Sequence, residues 1–464
     1  MRVEHDFLGE REIPDNVYYG VQTLRGVENF HITGIPIGLA TSFIAALGYV
    51  KKAAALANRD LGVIDPMIAN AICQACDAII AGHFHDQFVV DVIQGGAGTS
   101  TNMNANEVIA NVALEYLGKP KGMYDVVHPN DHVNLSQSTN DAYPTAFRLS
   151  LYAEIGKLIA ALAALQQSFA RKGAEFKDVI KMGRTQLQDA VPMTLGQEFE
   201  SFAVNIGEDV RRLEEARALI TEVNLGATAI GTSINAPEGY PALAVKYLAD
   251  ITGVPVMLSH NLIEATWDTG AYVQVSGVLK RVAVKLSKIC NDLRLLSSGP
   301  RCGFNEINLP PMQPGSSIMP GKVNPVIPEV VNQVCYLVIG NDVTVTFAAE
   351  AGQLQLNVME PVLAYCLFQS IETLTRASTT LRELCIDGIT ANAEHARNMV
   401  MNSIGIVTAL NPILGYEATA AIAKEAFETG GSVIDIARAT GLLDDDKINE
   451  IFSIENLMHP KFIR

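Results

Sequence analysis

The sequence predicts a mostly α-helical subunit of three domains, arranged around a central bundle of long helices. Two observations carry this expectation. From Leu151 the apolar positions recur at Leu151, Ile155, Leu158, Leu162, Leu165 and Phe169. From Tyr272 they recur at Tyr272, Val275, Leu279, Val282, Leu286, Ile289, Leu293 and Leu296, again in alternating steps of three and four. A sustained narrow stripe of this kind is the seam along which long helices pack almost in line. The second observation concerns strands: their signals are short, confined to the N-terminus and to the stretch around VIKMGRTQ, with no βαβ alternation.

The stretches near 195–222, 326–350 and 356–386 show similar spacing with broader apolar faces. Helices of that length and breadth bury stripes on more than one side, which predicts a multi-helix bundle and association between subunits. The bundle is expected over residues 140–395. A mixed, mainly helical domain over 1–139 precedes it, and a small helical domain over 396–464 follows. The glycine-rich QGGAGTS at 94–100 lacks the preceding strand and glycine spacing of a dinucleotide-binding turn.

With 464 residues and a net charge of −16, the chain is unsuited to nucleic-acid phosphate, which meets basic surfaces. A small anion is not excluded, since a local cluster of donors can oppose the overall field. The opening MRVEHDFLGE lacks the apolar core of a secretory signal. His31–Val50 has no charged residue, but its three glycines, proline and hydroxyl residues predict a buried loop and helix rather than a membrane span. These readings predict a cytoplasmic protein without a nucleic-acid or membrane partner. The seven cysteines are odd in number and mostly among apolar neighbours, as reduced core thiols are. Cys73 and Cys76 form a CxxC without a second ligand pair, so helix packing is expected there rather than zinc. His83 and His85 beside Asp86 read as a solvated loop, and no metal is predicted.

Chemistry concentrates in four polar loops: GGAGTSTNMNANE (95–107), HPNDHVNLSQSTND (128–141), GRTQLQDA (183–190) and GSSIMPGKVNP (315–325). Any one of them could simply cap a helix. Four together, rich in hydroxyls, amides and glycine turns and including Lys322, suit a shared site for carboxylate oxygens. The last lies in an irregular connection holding seven prolines between Gly299 and Pro328. A connection of that length in a compact helical protein reads as a lid, with Gly315 and Gly321 as hinges and Ser316 and Lys322 as its cargo. A serine can act as a base only where donors or cations stabilise its alkoxide. No His–Asp pair adjoins Ser316, so a hydrolase-type nucleophile is not favoured.

GSSIMPGKVNP is similar to the signature loop of the aspartase/fumarase superfamily, and the other three loops resemble that family's active-site regions in the same order. The resemblance spans essentially the whole chain. It implies a mostly helical three-domain subunit, a homotetramer whose active sites are each shared by three subunits, a small dicarboxylate substrate, and anti elimination giving fumarate without a cofactor. YYGVQTLRGVENF (18–30), LNVMEPV (356–362) and NSIGIVTALNP (402–412) resemble the aspartase branch; Gln186 and Glu360 stand where fumarases tend to carry His and Lys. The implied activity is loss of ammonia from L-aspartate, with fumarate hydration as the alternative. Carried over residue by residue, the resemblance makes Ser316 the base and sets Thr99, Ser138, Thr139 and Ser317 on the β-carboxylate. It places Lys322, Asn324 and Arg25 on the α-carboxylate, Asn140, Thr185 and Gln186 around the amino group, and Met319 in the substrate site. His128 matches a loop that forms a second dicarboxylate site in fumarases, or else a turn held by Pro129 and Asp131.

Overall fold

A computed structural model describes residues 1–458; the final six residues of the expected C-terminal domain lie outside the described residues. The chain opens with the hairpin β1 (Arg2–Asp6) and β2 (Gly9–Ile13), followed by α1 (Val21–Asn29), α2 (Thr41–Asp60), α3 (Pro66–Ile80) and α4 (Thr99–Tyr116). The longest helix, α5 (Thr139–Glu175), leads to a second hairpin, β3 (Ile180–Thr185) and β4 (Gln188–Thr194), and then α6 (Leu195–Leu219). The strand β5 (Glu222–Val223) precedes α7 (Tyr240–Thr252), β6 (Met257–Leu258), α8 (Leu262–Trp267) and α9 (Gly270–Leu296). After β7 (Ile307–Asn308) come α10 (Val326–Glu350), α11 (Glu360–Leu384) and β8 (Thr390–Ala391). The described chain ends in five short helices, α12 (Ala393–Asn402), α13 (Asn411–Thr429), α14 (Val433–Ala439), α15 (Asp445–Ile451) and α16 (Ile454–Met458).

The chain divides into two compact units. One comprises residues 1–160, 211–283 and 336–375; the other comprises 161–210, 284–335 and 376 onward. In the first, α2 packs on α3 and α7, and α1 and α3 pack on α4. Its core holds an aromatic cluster in which Phe147 stacks on Tyr272 at 4.5 Å between centroids and meets Phe368 edge-on at 5.4 Å. In the second unit Phe169, Phe176, Phe199 and Phe202 form another such cluster. The β3–β4 hairpin there lies against α12, and Ile180 and Met182 join Val400, Ile422, Ile448 and Ile451 in a buried core.

Both predicted stripes are buried: every residue from Leu151 to Phe169 in the first series is 0% exposed, and none of the Tyr272–Leu296 series exceeds 5%. The expectation for His31–Val50 needs correction in its first part. Phe43, Ile44, Leu47 and Val50 of α2 are buried as expected, but His31–Ile35 are exposed. The absence of charge in that loop reflects polar backbone held by Asp91, which accepts from the N–H groups of Thr33 and Gly34 at 2.8 and 2.9 Å. Thr139–Glu175, Val326–Glu350 and Ile404–Thr429 are long and apolar enough to cross a membrane by length and composition alone. On α10 the apolar residues Val330, Tyr336, Leu337, Val343 and Phe347 are exposed on the single chain.

Candidate active site

In the first unit the polar loops are held by buried networks. Gly98 precedes α4 with φ +88, and a Cβ there would overlap the ring of Tyr143; only glycine allows the approach that puts Thr99 on the first turn. Thr99 is exposed, and its hydroxyl donates to the Gly96 carbonyl at 2.7 Å. At the start of α5, Ser138 Oγ accepts from Asn140 N–H at 3.3 Å while Asp141 Oδ1 accepts from Ser138 N–H at 2.9 Å. This reciprocal capping fixes the helix start. Asp141 also accepts from the N–H groups of Gly226 and Thr228, each at 2.9 Å, and burial pushes its carboxyl up to about 6 against these donors. Asn140 donates to the Ala229 carbonyl at 2.8 Å. Thr139 is 8% exposed, and its Oγ1 accepts from Asn102 Nδ2 at 3.1 Å.

Beneath Thr139 lies Lys51 of α2, wholly buried. Its ammonium donates to Asn102 Oδ1 at 2.7 Å, Gln137 Oε1 at 2.9 Å and Asn134 Oδ1 at 3.0 Å. Nearby, Glu107 accepts from the N–H groups of Gly20, Gln22 and Thr23 and thereby fastens YYGVQT to α4. Arg25 and Thr99 share the lining of a cavity of about 580 Å³ with Asp6, Gln22, Asn29 and Met103. Arg25 directs two donors at Asp6, at 2.7 and 2.8 Å, and that bond holds the Asp6 carboxyl below its usual range.

The 315–325 loop in the second unit is built differently. Gly315 N–H donates to the Lys322 carbonyl at 2.8 Å and Asn324 Nδ2 donates to the Gly315 carbonyl at 2.6 Å, closing a narrow neck. A Cβ on Gly315 would sit 2.6 Å from Lys322 O, so this glycine is required by close approach rather than as a free hinge. Gly321, at φ +79 with open space around it, does have hinge freedom. Inside the loop Ser316 Oγ accepts from the backbone N–H of Ile318 at 3.2 Å and of Met319 at 2.9 Å. Two donors converging on one hydroxyl oxygen favour its ionised form. Ser316 is half-buried, while Ser317, Met319 and Lys322 are exposed.

The same unit carries Thr185 and Gln186 at the tip of the β3–β4 hairpin, both exposed. Thr185 pairs with Gln188, leaving Gln186 and Leu187 as the two turn residues, with φ +55 and +61. Such a turn favours Asn and Gly; here both residues carry full side chains in the left-handed region. The hairpin base is anchored by Glu306, 0% exposed, which meets Arg184 Nη1 at 2.6 Å and Lys181 Nζ at 2.9 Å. Lys181 also pairs with Glu198.

The structure thus brings Arg25, Thr99, Ser138, Thr139 and Asn140 into the first unit. It places Thr185, Gln186, Ser316, Ser317, Met319, Lys322 and Asn324 in the second. Sequence reasoning missed Lys51, Asn102, Asn134, Gln137 and Asp141. The signal was there: Asn102, Asn104 and Asn106 alternate with Met103 and Ala105 in helix α4, and buried amides require partners. His128 Nδ1 accepts from the N–H groups of Asn130 and Asp131, so it shapes the turn that starts at Pro129. All seven cysteines are free: five are buried, Cys73 is half-buried and Cys302 is exposed. Among the described residues, no group of three or more His, Cys, Asp or Glu is arranged to hold a metal.

Residues 9–340 match the family described as lyase, and residues 406–459 match that of the fumarase C C-terminus. The chain is 61% identical over 460 residues to the aspartate ammonia-lyase of Helicobacter pylori, covering 99% of this chain and 98% of that one. It is 58% identical over 463 residues to the aspartate ammonia-lyase of Escherichia coli, covering 100% and 97%. Among solved structures it is similar to a fumarate lyase:delta crystallin from Brucella melitensis bound to cobalt. That pair has a TM-score of 0.95 and 57% identity, and each chain is covered over 98%. It is also similar to the class II fumarase of Schistosoma mansoni, at TM-score 0.94 and 35% identity, with 99% of each covered. Its loops, its long-helix architecture and these full-length likenesses agree: the chain belongs to the aspartase/fumarase superfamily of lyases.

Proposed function

We propose that the protein is an aspartate ammonia-lyase that converts L-aspartate reversibly to fumarate and ammonia. The observation that carries the mechanism is the pair of backbone N–H groups directed at Ser316 Oγ. As an alkoxide, Ser316 takes the proton from the carbon beside the β-carboxylate. The C–H electron pair moves into that carboxylate, giving an enediolate with two negative charges. Collapse of the enediolate forms the carbon–carbon double bond and breaks the carbon–nitrogen bond; the protonated amino group of the substrate leaves with that electron pair as neutral ammonia, and Ser316 then gives up the proton it took. Thr99, Ser138, Thr139 and Ser317 stabilise the second charge, a contribution made in the transition state and not in the ground state. Lys322 and Asn324, with Arg25, take the α-carboxylate; Asn140, Thr185, Gln186 and Met319 surround the amine. With Gln186 at the hairpin tip, no His–Glu pair activates water for hydration.

The site is completed by assembly. The exposed apolar face of α10 needs a cover, and further copies of the same chain in a homotetramer supply it, each active site drawing on three subunits. The free thiols suit a cytoplasmic enzyme. The test is a substrate comparison: ultraviolet absorbance of fumarate formed from L-aspartate and from L-malate, with the mass in solution measured on the same sample. Fumarate from aspartate by a tetramer is expected. Fumarate from malate alone would replace the reading with fumarate hydratase, and a monomer turning over at full rate would remove the shared site.

A further inference from the structure

Lys51 is an unusual ammonium. It is wholly buried, and the three groups it donates to are all neutral amide oxygens, those of Asn102, Asn134 and Gln137. A buried cation is ordinarily paired with a carboxylate, because leaving its charge uncompensated is costly. The charged or titratable groups facing it are Asp141 of α5 and Cys76 of α3. Asp141 is already committed to the N–H groups of Ser138, Gly226 and Thr228. The Cys76 thiol is pushed well up by burial, so it supplies no counter-charge.

The path outward from Lys51 leads to a site residue. Asn102 Oδ1 accepts from the ammonium, and Asn102 Nδ2 donates to Thr139 Oγ1 at 3.1 Å. That bond occupies the acceptor side of the Thr139 hydroxyl, so the hydroxyl proton is left to point away from Asn102. Asn102 Nδ2 and Asn106 Nδ2 also donate to Asn134 Oδ1, at 3.1 and 3.2 Å, so the amide orientations are mutually fixed.

We infer that Lys51 is a positioning residue for the elimination: through Asn102 it orients and polarises the Thr139 hydroxyl as a donor, and the counter-charge that Asp141 supplies without touching it is completed by the substrate carboxylate that gains a second negative charge. The inference rests on the proposed lyase reading. A positive charge held in place beneath the carboxylate through the reaction favours the negative charge that develops there and costs no reorganisation at that moment. Burial pushes the Lys51 ammonium down to about 7. An anion bound at Thr139 favours the charged form, so above about pH 7, where the ammonium has begun to lose its proton, binding takes one up.

The experiment uses fumarate without ammonium as a non-reacting probe of the assembled enzyme, with calorimetry in two buffers of different ionisation enthalpy at pH 8. Wild type is expected to take up a fraction of a proton per fumarate bound. Lys51→Met is expected to lose that uptake, lower kcat about 10- to 100-fold with a smaller change in KM, and raise the deuterium isotope effect on the carbon–hydrogen step. Asn102→Ser, which cuts the path to Thr139 and leaves two acceptors on Lys51, is expected to lower kcat in the same direction. Wild type that makes fumarate from aspartate yet binds fumarate without proton uptake overturns the inference, even if Lys51→Met fails to fold. So does a folded Lys51→Met variant with unchanged kcat and uptake. Wild type that makes no fumarate from aspartate overturns the lyase reading instead.

Discussion

The polar shelf of the first unit and the 315–325 flap of the second bind their functional side chains in opposite ways. On the shelf, Thr139, Asn140 and Asp141 each bond to a partner distant in sequence, over buried amides and a buried lysine. In the flap, among the described residues, the side chains of Ser316 and Asn324 bond to backbone groups of the loop itself, and Lys322 and Ser317 are exposed. Groups that must recognise a small anion gain from being fixed in advance, because ordering them at binding costs affinity. A base that must reach a carbon–hydrogen bond and then release product gains from a mobile mount. Substitutions in the flap should therefore change activity without changing stability, whereas substitutions in the shelf should change both.

The largest expected effect is on the base. Ser316→Ala should lower kcat by about 10³-fold or more, within the range for lost general-base catalysis, while thermal unfolding stays within a degree or so of wild type. A large fall in melting temperature would show that the flap is structural after all. Next comes Asp141→Ala on the shelf, which leaves buried N–H groups of Gly226 and Thr228 without an acceptor. Stability should fall by about 3 kcal/mol, with loss of activity alongside it, as read by denaturant titration and turnover. Loss of activity without loss of stability would break the contrast from the other side. Lys322→Ala should raise KM about 10- to 100-fold, the scale of a charge-assisted contact, with the unfolding curve unchanged. The smallest effect is at the hairpin tip. Leu187→Gly removes a left-handed strain worth about 1 kcal/mol, partly offset by the greater freedom of glycine in the unfolded chain, so a gain of about 0.5 kcal/mol is expected.

Much of this was legible in the sequence because the relevant signals are periodic or dense. The stripes from Leu151 and Tyr272 could be read because a seam that repeats every three and four residues admits few alternatives, and both proved buried. GSSIMPGKVNP stood out by its prolines and glycines, and the structure supplies what the letters could not, the two N–H groups converging on Ser316 Oγ. The shelf was less visible. Lys51 reads as one of two adjacent lysines in VKKAAALA, and nothing local distinguishes the buried one from Lys52, which pairs with Asp77 at 2.5 Å. Its partners come from residues 102, 134 and 137, so only the tertiary fold assembles the network. Arg25 shows the converse: the resemblance sets it on the α-carboxylate of the substrate, and the structure adds a partner within the chain that the letters did not reveal, Asp6.

The contrast is tested most directly by amide hydrogen exchange of the wild-type enzyme with and without saturating fumarate. The account predicts slow exchange across 130–141 in both states, together with fast exchange across 315–325 that slows markedly when fumarate is bound. Equal protection of 315–325 in the two states, or a shelf that becomes ordered only with ligand, would contradict it.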